Sequence, residues 1–404
     1  MICLYSLTVR SFGEHNPEPI SFLLQSTDGK NHTGPLEAID EKWCVQLGGR
    51  NPYQETGDNI LTLRQAGMPR PPFPEGEQVI FANGDRIPGR ILKLTGDRLR
   101  LKATFDQDQE LVVPLSAIAV IWVTSPDPER APAVFMRQLK TGKRRKDTIY
   151  LRNGDMLEGL LNGFEAHAQL NLLIGKKEVQ VDFNKVAAIA LNTDLLRTVR
   201  PPEIVGRLVL ANGCRLALTR PRAGVAAVTG RTLFGTEVTI PLGMIIALDI
   251  EQGGVSFLSD LKPKHFETTP FFGFRWNYVL DGSVLKNNYP AGGDLQSQGN
   301  TYDRGIGMHS PGRLTFDIGG QYRWFQTLVA LDEIHGKLGT VRIRIDVDGK
   351  PAELGFGKEL SWQDGAARVR LSVEKVKELS LVVEPGRFGD VQGHVNWLEA
   401  RLIK

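Results

Sequence analysis

Cysteine is scarce in this chain: Cys3, Cys44 and Cys214 are the only thiols in 404 residues. Their odd number and wide scatter exclude a disulfide framework and a zinc-binding spacing. No apolar run reaches the length of about 18 residues that a membrane-spanning helix needs. An excess of one charge is also missing. Lys and Arg number 49 against 46 Asp and Glu, a formal net charge of +3, which gives no bulk attraction to nucleic acid. The one basic run, KTGKRRK at 140–146, is followed at once by Asp147 and reads as a solvated linker. Catalytic signatures are absent as well: no Gly-x-Ser-x-Gly, His-Glu-x-x-His, Walker-type or dinucleotide-binding pattern occurs. The seven histidines show no pair at zinc spacing, and no two acids form a glycoside-hydrolysis motif. The N-terminus, MICLYSLTVRSFGEH, lacks a basic region and a small-residue cleavage site, so it does not read as a signal peptide. The compartment stays open: exported or periplasmic if the start is misassigned, otherwise cytoplasmic.

Turn formers are plentiful, with 43 Gly and 23 Pro, and they punctuate a chain that reads as all-β. Two segments follow one template. Asn83-Gly84-Asp85 with Gly89, and Asn153-Gly154-Asp155 with Gly159, each sit between alternating apolar residues. Asn-Gly in that setting predicts a hairpin of type I′, and the second glycine predicts a bulge or bend in the returning strand. A fainter copy carries Asp28-Gly29 and Gly34; a fourth carries Asn212-Gly213-Cys214 and has lost the second glycine. Each copy continues through four or five short strands, as expected of a small barrel that resembles SH3-like or Sm-like units in outline. The expected organisation is a divergent β unit at 1–66, barrel units at 77–125 and 147–198, a divergent unit at 203–252 and a β-sandwich at 256–404. The units read as beads, each with its own core, on linkers at 67–76 (GMPRPPFPEG) and 126–146, the second with room for a short helix at 133–139. The Asn-Gly-Asp tips lack the closely spaced oxygen donors of a calcium loop, so turn chemistry accounts for them.

From residue 255 the texture changes. The stretch YDRGIGMHSP at 302–311 packs Tyr302, Asp303, Arg304 and His309 around two glycines, then strands alternate to the end of the chain. Apolar strands such as VRIRIDV at 341–347 and NWLEARLI at 396–403 read as core, with Trp397 a core residue. The motif at 302–309, the strand around Phe325, Asp332, Val347-Asp348-Gly349 and the closing NWLEARL resemble the NPCBM family, the carbohydrate-binding module associated with family-98 glycoside hydrolases. That resemblance implies a galactose-binding-like jelly-roll sandwich whose end-loops hold a galactoside-like glycan. Tyr302, Asp303, Arg304 and His309 are then the first binding candidates, with Trp276, Asp332 and His394 behind them. It also implies a structural calcium, with Asp281, Asp294 and Glu399 as oxygen donors. The family's closing pattern is richer in Asp near the tryptophan than Gly393-His394-Val395-Asn396-Trp397 here. The leading functional expectation is a non-catalytic carbohydrate-binding protein. The alternatives are an assembly protein using its β units for protein contacts, and a glycosidase of unrecognised kind.

Overall fold

Four N-terminal units are each built around the same five-residue turn. The structure is a computed structural model that describes residues 20–105, 110–125, 142–166, 168–199, 201–224, 226–251, 254–269, 276–284, 293–354 and 359–404, and within 126–141 only residues 132, 135, 136 and 139. The glycine N–H donates back three residues in every unit: Gly29 to Ser26, Gly84 to Phe81, Gly154 to Leu151 and Gly213 to Leu210. The preceding Asp28, Asn83, Asn153 or Asn212 accepts, through its side-chain oxygen, the N–H two residues on. Only the glycine takes positive φ, between 82° and 92°. The expected type I′ turn, which needs positive φ at both central residues, is therefore replaced by an Asx-stapled turn with a single left-handed glycine. The second glycine is required by close approach. A Cβ on Gly89 would stand 2.3 Å from the Lys102 carbonyl oxygen, and one on Gly159 would stand 2.6 Å from that of Leu173.

A closing strand follows a short 3₁₀ turn in each unit: Ile60–Gln65, Ile118–Trp122, Val186–Ala190 and Ile245–Glu251. These strands overturn the expectation of separate beads. Units 2 and 3 join through antiparallel closing strands, with Ile121 opposite Ile189. Units 1 and 4 join in the same way, with Leu63 opposite Leu248. All four residues are the fourth of their strand, so each pair is built about a local two-fold. The second strands obey that two-fold too, placing Leu94 opposite Phe164 and Ile39 opposite Ala223. Pairing is thus nested, first with last and inner with inner. Twenty strands form one hydrogen-bonded network, and a single apolar cluster runs from Phe22 to Ile250 through all four units. Trp43 of unit 1 locks the outer pair: its indole N–H donates to the Ile204 carbonyl at 3.0 Å, and its ring leaves room only for Gly206. Cys214, at the tip of the hairpin joining Val205–Leu210 to Arg215–Ala223, is fully buried in this core.

The two seams are covered differently. Over the inner seam, Val120, Trp122, Ala188 and Ala190 pack against Met136 and Leu139 of the 126–146 segment. The short helix expected at 133–139 lies for the most part outside the described residues. Over the outer seam lies the C-terminal sandwich, with Leu61 packed on Val255, Ile403 and Trp324.

That sandwich has two antiparallel sheets. One orders Val279–Leu280, Gly305–His309, His394–Ile403, Trp324–Leu331 and Ala367–Ser372, with Val255–Phe257 also on the strand 394–403. The other orders His265–Glu267, Gly312–Asp317, Glu378–Pro385, Thr340–Val347 and Lys350–Pro351. Their inner faces bury Ile306, Phe316, Phe325, Ile345 and Trp397, as strict alternation of apolar residues requires. Trp397 is fully buried, matching its reading as core. A register shift between Gln326 and Leu328 marks a bulge, and across it Glu399 takes φ 50°. The bulge turns the Glu399 carboxylate out of the sandwich toward unit 1.

Candidate functional site

The motif at 302–304 faces the N-terminal units. Asp303 accepts from Arg215 of unit 4 and from Arg70 of the 67–76 linker at 3.2 Å, with Arg86 of unit 2 at 3.9 Å. Arg70 also pairs with Asp249 and, at 3.2 Å, with Glu399. Glu399 is shared with Arg64 and, at 3.6 Å, with Arg401. Burial alone would raise the Asp303 carboxyl, but the guanidiniums of Arg215, Arg86 and Arg70 outweigh it and hold the group well below the usual carboxylate range. Glu399 follows the same logic: burial is overcome by Arg64, Arg70 and Arg401, and its carboxyl is lowered. Arg304 pairs with Asp281 at 2.8 Å and with Asp260, and lies over the Phe257 ring at 4.7 Å. Tyr302 is half-buried against Leu295, Ala330 and Leu398, and burial raises its hydroxyl pKa. Asp303 and Arg304 therefore do not pair with each other, and Asp303, in the loop between Asn300–Tyr302 and Gly305–His309, is turned to the N-terminal units. Its carboxylate belongs to an arginine clamp that joins sandwich to units.

The remaining candidates gather at another place. Trp276 stacks on His309, with ring centroids 4.8 Å apart and planes 19° from parallel. His394 stands edge-on to both, at 5.3 Å from Trp276 and 4.6 Å from His309. His335 joins them, 5.6 Å from His394. His309 and His394 are buried, whereas Trp276 and His335 are half-exposed. In His309 the Nδ1 atom lies against the Ser310 carbonyl, and in His394 it lies 3.0 Å from the Val284 carbonyl. A carbonyl can only accept, so both rings carry a proton on Nδ1, and a neutral ring then has its lone pair on Nε2. Burial lowers the His309 pKa, which favours that neutral form; the Ser310 carbonyl and Asp390 oppose it more weakly.

Asp332 fixes this cluster from behind. It is buried and accepts from the Ser283 hydroxyl, from Asn396 Nδ2 at 2.9 Å, and from the N–H groups of Ile334 at 3.1 Å and His335 at 2.8 Å. One carboxylate thus ties three segments together and sets the loop that carries His335. The cluster occupies the end where Gly305–His309 finishes and His394–Ile403 begins, an end-loop position in a sandwich.

The family model described as the NPCBM/NEW2 domain matches residues 254–403. Those residues are an NPCBM/NEW2 domain. Solved structures similar to the chain include a CBM51 module from Clostridium perfringens GH95, in complex with methyl-galactose. It is 22% identical, covers 37% of this chain and 99% of that one, and has a TM-score of 0.31. Another is the CBM51-2 module with INT domains from Clostridium perfringens ZmpB, in complex with GlcNAc, at 19% identity and a TM-score of 0.33. It covers 44% of this chain, which spans only 36% of that one. The tandem CBM51 modules of a family 98 glycoside hydrolase from Streptococcus pneumoniae are 12% identical, covering 95% of this chain and 88% of that chain at a TM-score of 0.32. No curated protein matches the chain.

Within the NPCBM domain, two of the three acids named for calcium, Glu399 and Asp281, already accept from protein donors. Glu399 is engaged by arginines, and Asp281 accepts from Arg304 and from the Gly305 N–H at 3.0 Å. Among the described residues no group of three or more His, Cys, Asp or Glu could hold a metal. No helix among them is long and apolar enough to cross a membrane. Sequence reasoning missed His335 and the clamp arginines. For His335 a signal existed: Asp332 three residues earlier can staple the loop that presents it. Nothing local in the sequence announces Arg70.

Proposed function

We propose that the protein is a non-catalytic carbohydrate-binding protein that holds a glycan on the end-loop cluster of Trp276, His309, His335 and His394. The observation that carries this reading is the half-exposed Trp276 indole stacked on a buried neutral imidazole. An indole face suits the C–H face of a pyranose, and the Nε2 lone pair of neutral His309 suits a hydroxyl donor. The domain match supports the same class of ligand. Asp332 is a positioning residue here, since its oxygens already serve four donors from protein. The galactoside class is the first to test. Calorimetric titration of the full chain with galactosides, N-acetylglucosamine and glucose should give saturable heat for at least one sugar. Trp276→Ala should abolish that heat while the protein still melts as a folded species. A flat response to every sugar, or binding untouched by Trp276→Ala, would sink the assignment.

A further inference from the structure

A separate cleft of about 420 Å³ opens between unit 1 and the outer face of the sandwich. Its walls bring Arg64 of unit 1 together with Arg368, Arg370 and Arg401 of the sandwich, against only Asp28 and Glu399. Both acids already have cations of their own. Asp28 pairs with Lys30 at 2.8 Å, and Glu399 is shared by Arg64 and Arg401 of the cleft and by Arg70 behind it. Arg368 and Arg370 are less well provided for. Arg370 donates one N–H to the Thr27 carbonyl at 3.1 Å and lies over Trp324, while its buried Nη1 has no hydrogen-bond partner. Arg401 is 6% exposed, and its buried Nε likewise has none. Arg368 is exposed and makes no ion pair among the described residues. Gly29 permits this crowding, because a Cβ there would meet Arg370 Nη1 at 2.2 Å.

Guanidinium N–H groups buried without acceptors are costly, and their chemical complement is an oxyanion that can take two parallel hydrogen bonds. The cleft volume suits a small molecule, and a junction between domains is a common place for such a site. We propose that this cleft is a second binding site, taking a small ligand that carries a carboxylate, sulfate or phosphate group. It lies toward the other end of the strand that starts at His394; seven residues to Arg401 is roughly 23 Å at about 3.3 Å per residue. The two sites are therefore separable.

The test uses the full chain and three probes: inorganic sulfate, inorganic phosphate and glucuronate. Each is titrated at constant ionic strength against chloride and glucose controls, by thermal melting and by calorimetry. At least one oxyanion should raise the Tm above the chloride control, and the preferred probe separates an inorganic anion from an acidic sugar. Arg370→Gln should weaken that binding roughly tenfold or more, as loss of a charge-assisted bond does. Arg368→Ala, at an exposed position, should weaken it by a smaller factor, and it decides the matter if Arg370→Gln does not fold. Trp276→Ala should leave it unchanged. Equal responses to chloride and to all three oxyanions would overturn the proposal, as would binding that persists in the folded arginine variants.

Discussion

The sandwich has two clusters of polar and aromatic side chains, and they have opposite fates. At the docked side, Asp303, Glu399 and Asp249 meet Arg64, Arg70, Arg86, Arg215 and Arg401, so their charge is consumed in holding domains together. At the rim, Trp276, His309, His335 and His394 stack on one another with carbonyls and Asp332 behind them, and two rings keep a face toward solvent. Residue type alone does not separate the two. Acids and arginines are as suited to a sugar hydroxyl as imidazoles are, and only long-range packing assigns them to structure. A clamp needs opposite charges in mutual contact, whereas a receptor needs polar atoms fixed in place but not mutually exhausted.

This contrast can be broken by substitution. The largest effect is expected of Arg70→Ala, which strips a buried cation from three carboxylates; breaking such a network typically costs about 3–5 kcal/mol. Denaturant unfolding should show that loss, and sugar affinity measured on the remaining folded protein should be unchanged. Trp276→Ala should do the reverse, costing under about 1 kcal/mol of stability at a half-exposed position while removing glycan binding. If both variants lose the same property, the two clusters are not independent.

Acid should sharpen the same contrast. His309 has a folded pKa below its ordinary 6.5, so its contribution to stability is full above 6.5 and declines as pH falls through the folded value. Asp303 is likewise depressed, from 3.8, so the clamp keeps its contribution down to about that pH and loses it only in stronger acid. Nuclear magnetic resonance of the histidine ring protons should therefore report the rim changing at a pH where the docking interface remains intact. A smaller effect is expected from Asp303→Asn, which leaves Arg70 with Asp249 and Glu399 and should cost less than Arg70→Ala. Comparing their unfolding midpoints checks the order.

What could be read from the sequence was what is local. The glycine turns, the alternating strands and buried Trp397 follow from steric and periodic rules that act within a few residues. Asp332 and His335 are close in sequence, and their connection was legible in principle. The clamp was not, because Arg70 and Asp303 are separated by 233 positions and nothing near either one names the other as its partner. The same applies to the joining of units. Ile121 and Ile189 look like ordinary core residues of closing strands, and nothing in their periodicity says that those strands also have outward-facing partners. The loss of the second glycine in unit 4, where Leu218 stands, did not prevent that unit from taking the shared architecture.

The nested pairing imposes a timetable on synthesis. As the chain leaves the ribosome, unit 2 receives unit 3 soon after it emerges, but unit 1 must wait for unit 4, with the inner pair made in between. Until then the strand Ile60–Gln65 has an unmated edge, and Arg70 is without the carboxylates that arrive later still. A nascent chain arrested before residue 245 would thus present an edge that the finished molecule never shows, and is the form most open to capture by chaperones or by its own kind.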